Sequence, residues 1–351
     1  MKSPNLCENM PESYEVAIMF IDLVDHAEKT KECEDKVLQC LLFMLKHLMI
    51  DMINETRGNQ SFNFTGDGAL IGFSQPEYAL EFCLSFRQKW PDLLSSIQNK
   101  YKEIRYPKDL EFRAVLHWGT AFPIQYYTGD RQDHVSRDII MASRILAKVN
   151  GPDVVVTDEF VSALGSDYFR LMPTSNYKLK GDRKNKRKVF RLVGGGEKEA
   201  SLWYELGLAY ARRGQHEKEI HAYKKALRIK PSLASALFNL ARANYDLCKY
   251  CKAIELFDRL IVDPTYRTAS LYYRGRAKYE IGDRLEENDE KRNEYFCRAI
   301  EDFESALELD RSYIEARELK EFVKSKMNNH QKSAAINSFD SEFDHAEDFY
   351  A

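Results

Sequence analysis

Ser61-Phe62-Asn63-Phe64-Thr65-Gly66-Asp67-Gly68-Ala69-Leu70-Ile71-Gly72-Phe73 reads as two strands joined at Gly66-Asp67-Gly68. An acidic residue flanked by glycines, between apolar stretches, is the composition of a tight hairpin. Helical periodicity lies on both sides of it, at Asp35 to Glu55 and at Glu77 to Leu94. Upstream, Val16 to Phe20 is a short apolar run that ends in Ile21-Asp22. Downstream come a strand at Leu110 to Trp118, a helix at Arg137 to Val149 and a strand at Asp153 to Thr157. Two more strands frame Leu179-Lys180-Gly181 and Val189 to Leu192. This order, βαββαβαβ-like, predicts an α+β domain of ferredoxin-like kind over residues 1–193, with helices on a mixed sheet.

The remainder of the chain has another character. Gly194-Gly195-Gly196 is the only glycine run and fits no regular element, so residues 194–197 read as a linker. Beyond it, Trp203, Leu206, Gly207, Tyr210, Gly214, Tyr223, Ala226 and Pro231 fall at the spacings of a tetratricopeptide repeat. Leu237, Leu240, Ala241, Phe257 and Leu260 repeat the pattern 34 residues on. A third unit starts at Leu271, Gly275, Tyr279 and Gly282, and resumes at Ala299, Phe303 and Ala306 after a charged insertion, Arg284 to Tyr295. Tyr313 to Met327 reads as a capping helix. Each hairpin buries its apolar face only by stacking on the next, so residues 198–327 are expected to form an all-α array. Residues 328–351 read as an acidic, flexible tail.

Length and composition bound the function. A chain of 351 residues with 44% apolar side chains has material for two domains and excludes whole-chain disorder. The 52 basic and 55 acidic residues give a net charge of −3, without the basic excess of a dedicated nucleic-acid binder. That near-neutrality sums unlike parts: residues 1–196 are net zero, 197–339 net +2, and 340–351 net −5. Gln39 to Asn54, the most apolar stretch, is too short and too charged to span a bilayer, and the N-terminus has no apolar leader segment. Seven scattered cysteines fit a reducing cytoplasm better than a disulfide framework. Cys248 and Cys251 form one CxxC without a second pair, so structural zinc is the weaker reading.

Two acids stand out for chemistry. Asp22 ends a buried strand, where a charge is costly unless it binds something. Asp67 stands at the tip of the hairpin. Carboxylates on neighbouring strands make a Mg²⁺ site that phosphate oxygens complete, whereas Asp-Gly taken alone is ordinary turn chemistry.

Phe20-Ile21-Asp22-Leu23-Val24, Gly66-Asp67-Gly68, Leu116-His117-Trp118-Gly119, Ala142-Ser143-Arg144 and Leu179-Lys180-Gly181 occur in one register. In order and spacing they resemble the class III nucleotidyl cyclase domain, over residues 12 to 193. The resemblance implies a homodimer that converts a nucleoside triphosphate to a 3′,5′-cyclic nucleotide and pyrophosphate. It implies that Asp22 and Asp67 hold two divalent ions, Mg²⁺ or Mn²⁺, and that Arg144 enters from the partner subunit to meet transition-state charge. It makes Lys180 the residue for the triphosphate, and Asn63 and Asp133 the positions that read the base.

The departures from the family carry information as well. Ile140 stands where the family has Asn, four residues before Arg144. Ser136, Arg137 and Asp138 are near enough in sequence to rebuild that function. Asn63 matches neither the lysine of adenylate cyclases nor the glutamate of guanylate cyclases, while Asp133 resembles the adenylate pattern. The base therefore stays open between UTP or CTP, as in the phage-defence pyrimidine cyclases that resemble this family, and ATP. The alternative is a catalytically silent, cyclase-like nucleotide sensor or dimeriser that acts through repeats binding a protein or peptide.

Overall fold

The computed structural model describes residues 12–25, 28, 30–31, 35–56, 59–100, 110–125, 132–180, 186–192, 195–286 and 290–328. His26, Gly194, Arg183 and Lys184 of the basic run, and the acidic tail lie outside them. The chain divides into two compact units, Met1–Ala209 and Tyr210–Ala351.

The first unit is built on one mixed sheet. Its strands are β1 (Tyr14–Leu23), β2 (Asn59–Thr65), β3 (Gly68–Phe73), β4 (Phe112–Gln125), β5 (Gln132–Val135), β6 (Val154–Thr157), β7 (Thr174–Tyr177) and β8 (Arg187–Arg191). The order is β2-β3-β1-β4-β6-β8-β7, with β5 paired to the far end of β4. β1 lies between β3 and β4 and is antiparallel to both, while β4 and β6 run parallel. The helices are α1 (Asp35–Thr56), α2 (Pro76–Lys100), α3 (Arg137–Leu146) and α4 (Asp158–Leu164). Val16, Ala17, Ile18 and Met19 are all buried, because helices cover both faces of β1.

Residues of even number on β1 share a core with α3. Val16, Ile18, Val115 and Val155 pack there against Met141, Ala142 and Ile145. α2 continues through Pro91 to Lys100, beyond the Leu94 that periodicity predicts. Trp90, Leu93 and Ile97 are buried along that stretch, and Trp90 Nε1 donates to Leu110 O at 3.0 Å. This packing holds the helix where Pro91 removes a ladder hydrogen bond. β4 likewise runs on past Trp118, since β1 pairs with it as far as Ala121.

α3 is anchored at its first turn. Ser136 caps it, its Oγ accepting from Ile139 N at 2.9 Å. Asp138 accepts from Thr120 N at 2.8 Å and from Thr120 Oγ1 at 3.1 Å. Gly119 makes this approach feasible, because a Cβ there would lie 2.6 Å from Asp138 Cγ. The buried His117 adds to the clamp, its Nε2 3.7 Å from Asp138 Oδ1 and its Nδ1 2.8 Å from Thr157 Oγ1. His117 beside the carboxylate and the Thr120 donors hold the Asp138 pKa down to about 2, against the opposing effect of burial.

Helices beyond the sheet follow the predicted period. They are α5 (Gly196–Arg212), α6 (His216–Ile229), α7 (Ala234–Asp246), α8 (Tyr250–Leu260), α9 (Arg267–Asp283), α10 (Glu290–Leu309) and α11 (314–328). Gly214 and Cys248, 34 residues apart, both end their hairpin's first helix in the left-handed region (φ 67° and 58°). The charged insertion lengthens the second helix of the third hairpin, since α10 already begins at Glu290. α11 packs Ala316 and Val323 onto Leu271, Phe296 and Phe303. The buried Asp302 is held by Arg274 and by Lys278, whose Nζ lies at 2.7 Å, so its charge is compensated.

The α3 clamp has a testable signature. A carboxyl with a folded pKa below its unfolded value stabilises above about pH 4 and loses that effect as pH falls towards 2. Discounted for partial exposure, Asp138→Asn is expected to cost about 1–2 kcal/mol at pH 7. In thermal melts the gap to wild type should narrow steadily between pH 4 and pH 2. Gly119→Ala, which crowds the same carboxylate, should cost about 1–3 kcal/mol.

Candidate active site

Asp22 is the last charged residue of β1, and the strand's register fixes what surrounds it. Its partner across β4 is Arg113. Arg113 Nη2 donates to Asp22 Oδ2 at 3.0 Å, and Nη1 donates to Val149 O at 3.1 Å. Both side chains are about a quarter exposed (26% and 28%), so the pair is neither fully desolvated nor a surface bridge. One carboxylate oxygen is thus neutralised and the other is turned elsewhere.

That other oxygen meets the hairpin. A Cβ built on Gly68 would lie 2.5 Å from Ile21 O, 3.3 Å from Asp22 Oδ1 and 3.3 Å from Thr65 Oγ1. Only glycine fits there, because the β1 backbone passes so close that any side chain would meet Ile21 O; Asp22 Oδ1 and Thr65 Oγ1 border the same position. Gly66 takes the turn at φ 65°, which brings the half-buried Asp67 next to that position in sequence. Oxygen donors of this kind suit a hard divalent cation. The described residues contain no cluster of three or more His, Cys, Asp or Glu side chains for a metal. A cation here would draw on the two carboxylates, main-chain and hydroxyl oxygens, and ligand oxygens, which is the way Mg²⁺ is ordinarily held. Of the two acids, the one whose oxygen lies beside Gly68 is Asp22.

Asn63 is exposed on β2, opposite Leu70, which in turn stands opposite Phe20 on β1. Directly opposed residues point to one face, and Asp22 is two residues beyond Phe20. Asn63 and Asp22 therefore share the α3 face of the sheet. Asp133 is on β5 opposite Ile124, and its side chain lies outside the described residues.

Arg144 and Lys180 form a second couple. Arg144 Nη1 donates to Lys180 O at 2.5 Å, which ties the last turn of α3 to the chain just after β7. Both residues are exposed. Among the described residues no hydrogen bond or ion pair links this couple to Asp22. Ile140, one turn before Arg144, is 47% exposed on the same helix face.

Two of the nearby polar residues, Ser136 and Asp138, do not replace the missing Asn. Ser136 is buried in its cap, and Asp138 is engaged with Thr120 and His117. That correction follows from the cap and the clamp, which sequence spacing does not reveal. Arg113, Thr65 and the Ile21 carbonyl were also missed. The signal for Arg113 was a lone cation at the start of a buried strand, where it needs a partner across the sheet.

Comparisons with known proteins give matches in two parts of the chain. Residues 207–247 match the family described as TPR repeat. No curated protein sequence matches the chain. Among solved structures, the guanylyl cyclase Cya2 is 17% identical with a TM-score of 0.47, covering 54% of this chain and 96% of that one. The adenylyl cyclase CyaB from P. aeruginosa is 16% identical with a TM-score of 0.44, covering 52% and 96%. The guanylate cyclase domain of RhGC from Catenaria anguillulae, solved in complex with GTP, is 14% identical with a TM-score of 0.40, covering 52% and 98%. No helix among the described residues is long and apolar enough to cross a membrane. The chain joins a mixed α/β-sheet domain that resembles class III nucleotidyl cyclases to a helical region with a TPR repeat.

Proposed function

We propose that the first unit is a nucleotidyl cyclase catalytic domain, working as a homodimer on a nucleoside triphosphate and releasing pyrophosphate. The observation that carries this reading is Asp22 at the end of β1, with one oxygen held by Arg113 and the other, Oδ1, facing the Gly66-Asp67-Gly68 hairpin beside Thr65 Oγ1.

Asp22 and Asp67 would hold Mg²⁺ or Mn²⁺. Bound there, the metal supplies charge neutralisation to the triphosphate and lowers the pKa of a ribose hydroxyl. Arg113 holds Asp22 through Oδ2, which leaves Oδ1 facing the hairpin. Arg144, steadied by the Lys180 carbonyl, places a planar cation for phosphate oxygens, with the Lys180 ammonium close by in sequence. Positioning and charge compensation are the protein's main contributions to phosphoryl chemistry. Asn63, on the same face as Asp22, is the residue for the base, and its amide both donates and accepts. Asp133 is the second such position.

No hydrogen bond or ion pair among the described residues joins Asp22 to Arg144 or Lys180. A head-to-tail dimer would set Asp22 and Asp67 of one protomer against Arg144 and Lys180 of its partner. The repeats would then bind a protein or peptide that controls the dimer.

Ile140 favours a second reading. An exposed isoleucine one turn from Arg144 offers no donor, and the domain would then bind nucleotide without converting it.

Incubation with each of ATP, GTP, CTP and UTP plus Mn²⁺ tests both readings, with cyclic product and pyrophosphate measured together. Turnover of one of them is expected, reduced at least about 10³-fold by Asp22→Ala or Asp67→Ala. Nucleotide binding with no product from any of the four would establish the silent sensor instead.

Mixing protomers tests the shared site. Asp22→Ala and Arg144→Ala chains should each be inactive alone. Mixed in equal amounts and allowed to exchange, they should recover about a quarter of wild-type activity, because half the dimers carry one intact site of two. No recovery, with exchange verified by mass, would place the whole site in one chain.

A further inference from the structure

The second unit carries a cation without a carboxylate. Arg276 on α9 lies over three tyrosine rings, with its guanidinium 4.9 Å from the Tyr245 centroid and 5.6 Å from those of Tyr272 and Tyr273. It is half-buried and makes no ion pair among the described residues. Arg242 on α7, exposed, flanks the same Tyr273 ring at 5.5 Å. Tyr313, just before α11, closes the group at 4.9 Å from Tyr272. α7 and α9 are the first helices of successive hairpins, the ones that line the concave side of a stacked array. Burial pushes the Tyr245 and Tyr313 hydroxyls up to about 12, so both stay neutral donors. Glu280 and Glu315 border the group, and Glu280 already accepts from Tyr245 and Tyr250.

The guanidinium is held by tyrosine faces and by hydrogen bonds to the Tyr245 and Tyr272 hydroxyls, and its charge is matched by no paired carboxylate among the described residues. Such a surface fits a peptide that alternates acids with aromatic rings. We propose that this arginine–tyrosine face docks the chain's own segment Asp340–Ala351.

Residues 340–351 read DSEFDHAEDFYA, with five acids, three aromatics and no Lys or Arg, against a net charge of +2 for residues 197–339. The reach is adequate. α11 carries the chain away from Tyr313 to residue 328, about 22 Å at 1.5 Å per residue. Residues 329–339 are eleven and extend to as much as about 36–40 Å. The segment returns to Arg276 with length to spare. This inference is independent of any turnover by the first unit.

The full-length protein tests it, with a photo-crosslinking phenylalanine analogue at position 343 and cross-linked peptides identified by mass. Cross-links are expected on residues 238–245 and 272–276. Their yield should fall at least about fivefold in roughly 0.5 M salt, where exposed charges are screened. Arg276→Gln should cause a similar loss. A second variant, Asp344→Asn with Glu347→Gln and Asp348→Asn, leaves every described helix unaltered and should cause the same loss if Arg276→Gln proves unstable. Cross-links scattered over both units, or yields unmoved by both variants, would overturn the proposal. So would cross-links that join only isotope-labelled to unlabelled chains, since the occupant would then be a second copy.

Discussion

A carboxylate at the end of the central strand is the constraint around which the first unit is arranged. Asp22 cannot lose water from both oxygens without compensation. Arg113, fixed opposite it by the β1–β4 register, takes one oxygen at 3.0 Å. The other, Oδ1, faces the β3 side, where a side chain at position 68 would first meet Ile21 O and then Asp22 Oδ1. The two glycines of the turn serve different needs. Gly66 supplies the left-handed backbone, and Gly68 lets the β1 backbone come close.

Much of this arrangement was legible in the sequence, and the unread part has physical causes. The GDG hairpin, the buried run before Asp22 and the 34-residue period are local patterns, and local patterns survive in one dimension. The pairing of Arg113 with Asp22 spans 91 residues and depends on strand order, which no periodicity encodes. The extension of α2 through Pro91 reverses a local rule because buried aromatic packing outweighs one lost hydrogen bond. Asp138 shows the limit most clearly. On a helical wheel it is a spare polar group in the first turn, two residues before Ile140. In the fold it is committed to Thr120 across a gap that Gly119 alone leaves open.

The same clamp sets the position of Arg144. Asp138 and the Ser136 cap hold the first turn of α3, while the bond from Arg144 to the Lys180 carbonyl holds the last. A ten-residue helix tied at both ends has little freedom to rotate or slide. An arginine on it is preorganised, and preorganised charge contributes most where developing charge must be met.

Preorganisation also bears on Ile140. Losing one positioned donor typically costs about 10²–10³ in rate, and losing an arginine that meets transition-state charge about 10³–10⁵. The chain has the arginine, its anchor and both acidic positions, and lacks the donor of smaller effect. Gly68 does not separate the two readings, because the close approach of Ile21 O requires a glycine there in an active and in a silent domain alike. What separates them is Ile140, whose exposed side chain offers no hydrogen bond where Arg144 offers a planar cation one turn further on.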